Sequence, residues 1–260
     1  MSKSLKISII TVCYNSAEYF EKAIESVLLQ DYDNFEYIVI DGGSTDGTQD
    51  IIRKYEDRLA YWSSEPEKGL YDAIHKGLEK ASGEIIGMIN TNDYYSPGVF
   101  KMVANAYKCQ SFNHTVVWGD VMYEDRRIIG WNARNTSLGT FAPHPSMFCP
   151  KSVYTRTNNY SMCYKVLSDY EFMYRAIDYH NINYVYMPEL FAFLRSRELT
   201  FKNILPSLKE ELSIQLRYGQ PKIIAYSIFL FKIIKNSPKI LKNMFCKITV
   251  SAQASNCFDV

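Results

Sequence analysis

Short apolar runs alternate with amphipathic stretches along the first hundred residues of the chain. Four runs rich in β-branched or aromatic residues predict strands, at residues 6–12, 35–40, 59–62 and 84–90. Stretches with apolar positions three and four residues apart predict helices, at residues 17–30, 48–55 and 69–81. Strands that alternate with helices at this spacing are typical of parallel βαβ units.

The pattern changes after residue 112. Residues 115–118 and 127–131 predict strands of a mixed or antiparallel extension. Residues 164–179 predict a helix that the chain enters at Ser168 and Asp169.

Neither an internal repeat nor a Pro/Gly/Ser-rich linker interrupts residues 1–200. We therefore expect one domain over residues 1–200, with a first half at 1–112 and a second half at 113–200. Residues 201–260 form a separate tail in this interpretation.

Small polar and acidic residues follow the ends of three predicted strands. Asn15, Asp41 and Asp93 hold these positions. In parallel sheets, ligands bind in the crevice beyond the carboxyl ends of the strands. The sequence therefore predicts a ligand site at this edge of the sheet.

The tail is basic and amphipathic. Residues 201–260 hold nine Lys and Arg and three Asp and Glu, which gives a net charge of +6. Residues 1–200 hold 20 Lys and Arg and 25 Asp and Glu, which gives a net charge of −5. At helical spacing, four lysines fall within an arc of about 80° opposite an apolar side: Lys232, Lys235, Lys239 and Lys242, against Leu230, Ile233, Ile234, Ile240, Leu241, Met244 and Phe245. Pro238 is expected to kink this helix or divide it in two. The apolar side would either pack on the first domain or lie in a membrane interface, with lysines near anionic head groups.

Composition excludes several classes of protein. The six cysteines are scattered without a C-x-x-C pair, so we expect neither a zinc site nor a disulfide framework. The N-terminus lacks the apolar core of a secretory signal, and no run of 18 uncharged apolar residues predicts a membrane span. We expect a cytosolic protein.

The sequence resembles glycosyltransferase family 2 at four segments in register. They are residues 7–15 (ISIITVCYN), 39–48 (VIDGGSTDGT), 64–73 (SEPEKGLYDA) and 90–93 (NTND). The third is similar to a motif of the branch that builds bacterial O-antigen, capsule and exopolysaccharide. The resemblance implies an α/β fold: a GT-A type, Rossmann-like nucleotide-binding domain with a mixed central sheet, here followed by a C-terminal helical extension. The first half would bind the nucleotide sugar and the second half the acceptor.

The resemblance also implies a set of donor-binding residues. These are Thr11, Tyr14, Asn15, Asp41, Lys68, Asp72 and Asn92. The first three lie at a strand-to-helix junction, where free N–H groups can hold a nucleotide. Asp41 matches an aspartate that bonds the N–H of a pyrimidine base, although Asp-Gly-Gly also favours a turn without any ligand. Lys68 would balance diphosphate charge and Asp72 would fix the donor sugar, unless both are surface residues of a helix entrance.

Asp93 matches a metal-binding acidic motif of the family. Its implied cofactor is a divalent cation, Mg²⁺ or Mn²⁺, because hard oxygen ligands suit these ions. The sequence departs from the common pattern, which has two acidic residues where this chain has Asn92 and Asp93. His144, in a segment similar to one of the same bacterial group, would contact the metal or the phosphates, the alternative being a structural histidine beside proline.

Asp169 matches the general base of the family. The reaction needs one carboxylate on the acceptor side to take the proton of the attacking hydroxyl. In-line attack would then invert the anomeric centre. The residues alone allow a second role, because Ser168 and Asp169 also suit the N-terminus of a helix.

These implications point to an inverting, non-processive glycosyltransferase. It would move one sugar from a nucleoside-diphosphate sugar, with UDP the expected nucleotide, to a lipid-linked saccharide at the inner face of the bacterial membrane. We expect the tail to bind an anionic membrane surface, and no nucleic-acid partner. Other classes are a nucleotidyltransferase, whose Gly-rich phosphate loop is absent after the first strand, and a non-catalytic nucleotide-sugar-binding protein. A processive synthase would carry a Gln-x-x-Arg-Trp motif, which the sequence lacks.

Overall fold

The chain divides into two units, Met1–Ser196 and Arg197–Val260. The computed structural model describes residues 4–108, 114–124, 126–128, 143–195 and 204–255, with side chains of residues 178–179 and 239–255 left aside.

The described strands of the first unit form one nine-stranded mixed sheet. They are β1 Ile7–Cys13, β2 Phe35–Asp41, β3 Tyr61–Ser64, β4 Ile85–Met88, β5 Tyr94–Tyr95, β6 Thr115–Tyr123, β7 Arg126–Ile128, β8 Met147–Pro150 and β9 Asn183–Leu194. Their order is β3-β2-β1-β4-β8-β6-β9-β5, and β7 pairs with β6 at the side. The first four strands are parallel, and β8 enters antiparallel to β4 and β6. The predicted α/β fold with a mixed sheet is therefore confirmed.

Six α-helices accompany this sheet in the described residues. They are α1 Ala17–Leu28, α2 Thr48–Lys54, α3 Leu70–Lys80, α4 Val99–Lys108, α5 Lys151–Thr157 and α6 Ser168–Tyr174. Short 3-10 turns lie at Glu56–Arg58 and His144–Ser146, and a π-helical turn at Arg175–Tyr179 follows α6.

The core lies on both faces of the sheet because successive strand side chains point to opposite sides. On β1, Ile7 and Ile9 belong to one buried apolar cluster, whereas Ile10 belongs to the other. Helix α3 approaches β1 closely, since a Cβ at Gly77 would lie 2.6 Å from Ile10 Cγ2. This approach sets α3 beside the end of β1.

The carboxyl ends of the parallel strands meet at one edge, as the sequence predicts. Cys13, the last residue of β1, pairs with Asp41, the last residue of β2, and Asp41 pairs with Ser64, the last residue of β3. Gly42 N donates to the carbonyl of Cys13 at 2.8 Å and closes the same edge. The segments that carry the resemblance therefore converge here.

Two predicted elements differ from the structure. The helix expected over residues 164–179 begins at Ser168, where the sequence predicts that the chain enters it, but residues 164–167 are not helical, because Leu167 has a non-helical backbone (φ −116°, ψ 31°). The Ser168 hydroxyl donates to the carbonyl of Ser161 at 2.7 Å, which folds the preceding segment back on the helix start. The strand expected over residues 127–131 is present at Arg126–Ile128, and residues 129–131 lie outside the described residues.

The second unit contains helices α7 Ile204–Arg217 and α8 Lys222–Ser255, which pack on each other. Of the two outcomes expected at Pro238, a kink or a division, the division does not occur, because α8 continues through Pro238 as one helix. Proline lacks the N–H that would bond the carbonyl four residues earlier, at Ile234. The Ser237 hydroxyl supplies that bond at 2.8 Å, which offsets the loss. Among the described residues, no helix combines the length and hydropathy required to cross a membrane.

Candidate active site at the strand ends

The loop after β1 is tied to the loop after β2 by Asn15. Its backbone N–H donates to Ser44 Oγ at 2.8 Å, and its side-chain Oδ1 accepts from the N–H of Thr45 at 2.9 Å. Asn15 has a left-handed backbone (φ 46°), a conformation that asparagine tolerates better than most residues. The reciprocal bonds leave the neighbouring Tyr14 ring 65 % exposed at the edge of the sheet.

Asp41 is fully buried and bonded through both carboxylate oxygens. Oδ2 accepts from Ser44 N at 3.0 Å and from Ser64 Oγ at 2.6 Å. Oδ1 accepts from Ser44 Oγ and from the Cys13 thiol, whose sulfur lies 3.5 Å away. Asp41 therefore joins the ends of three strands, a structural role close to the turn alternative that the sequence leaves open.

Thr11 is also fully buried. Its hydroxyl lies 2.9 Å from the Tyr37 hydroxyl and donates to the carbonyl of Ile89 at 2.9 Å. The next residue, Val12, points to the opposite face of the sheet because side chains alternate along a strand. The structure therefore places Thr11 inside the core and Val12 toward the open edge.

A cavity of about 430 Å³ opens where β1 and β2 end and α3 begins. We call it the strand-end cavity; its lining residues are Val12, Cys13, Tyr14, Gly42, Pro66, Glu67, Gly69, Leu70 and Ala73. Its volume falls within the roughly 300–1,000 Å³ of small-molecule sites. The lining combines an exposed aromatic ring, apolar walls and one carboxylate, a combination suited to a planar base and its polar edges.

The carboxylate in this lining is Glu67. Its carboxyl lies within hydrogen-bonding reach of Asp72, and Oε1 lies 3.2 Å from Lys76 Nζ, which also pairs with Glu65. Burial and the neighbouring Asp72 carboxyl raise the pKa of Glu67. Glu67, just before α3, and Asp72, in its first turn, therefore form a contacting acidic pair with Lys76 beside it.

Lys68 lies beside this pair and is exposed. Its backbone N–H donates to Asp72 Oδ2 at 3.1 Å, while the adjacent Gly69 begins α3 with a positive φ of 146°. This bond orients Asp72 in the first turn of the helix. The exposed Lys68 therefore lies between two residues that line the strand-end cavity, Glu67 and Gly69.

Asp93 lies just beyond the end of β4 and is 5 % exposed. Oδ2 accepts from Asn90 Nδ2 at 2.8 Å, and Oδ1 accepts from the backbone N–H of Arg195 at 3.2 Å. Burial raises the pKa of Asp93 to about 6 despite these two bonds. Near neutral pH the carboxylate is still largely ionised. Asn92, one residue earlier, is half-buried.

These residues fit a cation that is held jointly with a ligand. Within the described part of the chain, no group of three or more His, Cys, Asp or Glu side chains is placed to hold a metal ion. Each Asp93 oxygen accepts one bond and keeps capacity for another. One carboxylate suffices for Mg²⁺ where phosphate oxygens and water complete the coordination shell.

His144 contacts residues that follow it in the second half of the first unit. Its Nε2 lies 3.0 Å from the hydroxyl of Tyr160, whose ring packs on Phe172 of α6 with 4.8 Å between centroids. Burial lowers the pKa of His144, and the negative charge of Asp169 opposes that effect. None of the contacts of His144 with described residues involves Asp93. Its surroundings link it to the start of α6.

Asp169 is the half-exposed carboxylate at the start of α6. Oδ1 accepts from the N–H of Tyr170 at 2.8 Å, and no other described residue bonds the carboxylate. Glu171, two residues later, is buried and bound by Arg175 at 2.9 and 3.0 Å. The Ser168 hydroxyl donates to the carbonyl of Ser161, and Leu167, the residue before the helix, has no side chain that could cap it. Asp169 is therefore the acidic side chain of this helix start that remains open to a ligand.

Helix α3 connects the strand-end cavity with the segment before α6. The Tyr71 hydroxyl donates to the carbonyl of Val166 at 3.4 Å, and His75 Nε2 donates to the carbonyl of Tyr160 at 3.0 Å. Tyr71 and Tyr160 also pack with ring centroids 5.6 Å apart. The cavity and Asp169 are thus held by one contiguous set of contacts.

Comparison with known families decides the class of protein. Residues 8–186 match the family described as glycosyl transferase family 2. The chain belongs to this family. Its sheet is the GT-A type fold, and the match covers both the strand-end cavity and Asp169.

Relatives of this family 2 glycosyltransferase occur in several bacteria. An uncharacterized glycosyltransferase of Mycobacterium tuberculosis is 32 % identical over 189 residues, which are 68 % of this chain and 70 % of the relative. TuaG of Bacillus subtilis, assigned to teichuronic acid biosynthesis, is 37 % identical over 90 residues, or 34 % of this chain and 36 % of TuaG.

Solved structures share the fold. Residues 1–349 of TarS from S. aureus, in complex with UDP-GlcNAc, align with a TM-score of 0.66 at 18 % identity, covering 92 % of this chain and 79 % of that one. The mannosyltransferase PcManGT from Pyrobaculum calidifontis, in complex with GDP-Man and Mn²⁺, aligns with a TM-score of 0.60 at 14 % identity, covering 99 % and 82 %.

The structure of this glycosyltransferase brings together some of the predicted site residues. Tyr14 lines the strand-end cavity, Asp72 contacts its lining through Glu67, and Asn15 holds its loop. Thr11 and Asp41 are buried away from it.

Of the nine lining residues, the sequence analysis assigned a role to Tyr14 alone; the other eight, including Val12, Pro66, Glu67 and Leu70, lie in the matching segments without an assigned role. Strand alternation was the available signal for Val12, because it must face away from Thr11.

Proposed function

We propose that this family 2 protein is an inverting, non-processive glycosyltransferase. It transfers one sugar from a nucleoside-diphosphate sugar to a hydroxyl of a lipid-linked saccharide. The observation that carries the proposal is a nucleoside-sized cavity joined through α3 to a carboxylate, Asp169, that the described protein leaves open.

The strand-end cavity is the proposed site of the nucleoside. The base stacks on the Tyr14 ring against apolar walls, and Glu67 meets a polar edge of the nucleoside. Asn15 fixes the loop that carries Tyr14. Asp41 and Thr11 act from inside the sheet, by holding the ends of β1 and β2 in register. The UDP-GlcNAc complex of TarS favours UDP as the nucleotide.

The diphosphate and sugar extend from this cavity toward Asp72 and Asp93. Exposed Lys68 offsets the charge of the diphosphate, Asp72 bonds a sugar hydroxyl, and Asn92 lies along the same path. Asp93 would hold a divalent cation together with the diphosphate oxygens. When bound, that ion acts as a Lewis acid that stabilises the departing diphosphate.

Asp169 acts as the general base in this proposal. It takes the proton of the acceptor hydroxyl while the acceptor oxygen forms a bond to the anomeric carbon. The bond between that carbon and the diphosphate oxygen breaks, and its electron pair leaves with the nucleoside diphosphate. Attack opposite the leaving group converts an α-linked donor into a β-linked product. His144 contacts Tyr160 and lies within the field of Asp169, so it orients this side of the site rather than the metal.

The proposed acceptor is an intermediate of bacterial surface polysaccharide synthesis, such as O-antigen. The likeness to TuaG and TarS supports this class. The reaction would take place at the cytoplasmic face of the inner membrane, with residues 1–200 as the catalytic domain and the basic residues 201–260 as a peripheral membrane anchor.

A panel of nucleotide sugars tests the proposal. Purified protein with Mg²⁺ or Mn²⁺ should release a nucleoside diphosphate from one donor, detected by mass spectrometry, and Asp169→Asn should abolish the release. Formation of a sugar 1-phosphate would indicate a nucleotidyltransferase. Tight nucleotide binding without turnover, with acceptor lipids present, would indicate a non-catalytic binding protein.

A further inference from the structure

The outward face of α8 carries a row of large apolar side chains. Ile223, Tyr226, Leu230 and Ile234 follow one another at intervals of three or four residues and are between 54 and 83 % exposed. This spacing places them on one stripe of the helix. We call these four residues the outer stripe. Phe231, on its flank, is also exposed.

The opposite face of α8 is fixed against α7 by an ion pair. Ala225 is fully buried, and the ammonium of Lys232 bonds the carboxylate of Glu211, which is 8 % exposed. Gln215 Nε2 donates to the same Glu211 oxygen at 3.3 Å. Rotating α8 to bury the outer stripe would separate Lys232 from the buried Glu211 carboxylate, and loss of one partner of a buried ion pair is strongly unfavourable. The stripe is therefore held outward within this unit.

Positive charge accompanies the outer stripe. Lys222 and Lys235 are exposed and lie on opposite sides of it, about 85° and about 135° from its centre at helical spacing. The tail as a whole has a net charge of +6. A helix with an apolar face and flanking lysines is typical of one that lies in a membrane interface, since lysines reach up to the head groups. A second copy of this basic segment would instead meet like charge.

We propose that the outer stripe of α8 inserts into the interface of an anionic lipid bilayer. This inference rests on the proposed membrane location and changes which face of α8 meets the membrane. The apolar residues enter the lipid, whereas Lys222 and Lys235 contact head groups at the sides. Lys232, one of the lysines predicted to face the membrane, is engaged with Glu211 instead.

Vesicle co-sedimentation of the full chain tests this inference. Wild type should bind phosphatidylglycerol vesicles and bind phosphatidylcholine vesicles weakly. Leu230→Ser with Ile234→Ser should weaken binding to the anionic vesicles roughly tenfold or more. Leu29→Ser is the matched control, because Leu29 is an exposed leucine of the first unit. Lys222→Gln with Lys235→Gln should lower binding to anionic vesicles and leave binding to neutral vesicles unchanged.

Circular dichroism and thermal melting should show that the variants fold as wild type does, since all substituted side chains are exposed. Equal vesicle binding by wild type and the Leu230/Ile234 variant would overturn the inference. A second result would also overturn it. In that case wild type would be a dimer by light scattering, and the same variant would be a monomer that still binds vesicles as wild type does. Nucleoside diphosphate release is measured separately, so loss of membrane binding with intact release, or the reverse, shows which proposal fails.

Discussion

Replacing Asp169 with asparagine separates catalysis from folding. Asp169 is half-exposed and accepts one described bond, from the N–H of Tyr170. The amide oxygen of asparagine can accept the same bond, so the start of α6 should keep its geometry. The substitution removes only the capacity to take a proton. We expect kcat to fall about 10²- to 10⁴-fold, with little change in the KM for the donor.

Glu171 provides a matched control two residues away. Glu171→Gln removes the charge partner of Arg175, which is 13 % exposed in a buried ion pair. Loss of one partner of such a pair costs about 3–5 kcal/mol, which lowers the Tm by roughly 6–20 °C for a domain of this size. The two variants should therefore give opposite results: Asp169→Asn is stable and inactive, whereas Glu171→Gln is destabilised but turns over while folded.

Initial rates of nucleoside diphosphate release and thermal melting, measured on the same preparations, check both expectations. A fall of 10²-fold in kcat corresponds to about 3 kcal/mol in the activation barrier. Asp169→Asn protein with a wild-type rate would refute the assignment of Asp169 as the base. A Tm loss as large as that of Glu171→Gln would show that Asp169 is structural.

Three other substitutions test separate parts of the account. Asp93→Asn should remove the dependence on divalent cation and lower activity at least ~100-fold, as full chelation by EDTA should do to wild type; activity that survives EDTA contradicts this. Glu67→Gln should weaken UDP binding in calorimetry roughly tenfold, the value of one bond to a charged group, and an unchanged Kd would remove Glu67 from the site. Burial raises the pKa of Glu36, but bonds from Lys6, Ser8 and Ser82 outweigh this and hold it at about 2. The ionised Glu36 carboxylate therefore stabilises the fold by roughly 1 kcal/mol after solvent screening. This stabilisation is present above about pH 4.5 and is lost as the pH falls toward 2. The free energy of unfolding of Glu36→Gln, measured in urea, should lack this acid-dependent loss.

The fold could be predicted from periodicity and turn chemistry. Polar residues mark the carboxyl ends of the first two strands, since β1 ends two residues before Asn15 and β2 ends at Asp41. Ser168 and Asp169 mark the start of α6, but hydrophobic spacing alone extends this helix back to residue 164. Residues 164–167 have helical spacing, yet the bond from Ser168 to the carbonyl of Ser161 commits them to a turn. That contact is a property of the folded segment and leaves no trace in hydrophobic periodicity.

The positions of the motifs predict where the site lies, but they do not predict the direction of each side chain. Thr11 lies within a matching segment, but strand alternation turns it into the core, where it bonds Tyr37. Asp41 lies at the predicted edge, but Ser44 and Ser64 occupy its oxygens. Glu67 has no role assigned from the motifs, because its contact with Asp72 across a turn is a tertiary feature. Motifs therefore identify the edge of the sheet, whereas tertiary contacts decide which side chains line the strand-end cavity.

The tail shows the same distinction. Helical spacing predicts its amphipathic character, but only the pairing of Lys232 with Glu211 decides which face is outward. The continuity of α8 at Pro238 also depends on a contact, the bond from Ser237 to the carbonyl of Ile234.

The position of bond cleavage in the donor distinguishes sugar transfer from nucleotidyl transfer. A nucleotide sugar labelled with ¹⁸O at the oxygen that bridges the anomeric carbon and the diphosphate would be incubated with the protein, its cation and an acceptor extract. Mass spectrometry of the products should place the label in the nucleoside diphosphate, because the bond to the anomeric carbon breaks. Label retained with the sugar would show cleavage at phosphorus and would contradict glycosyl transfer.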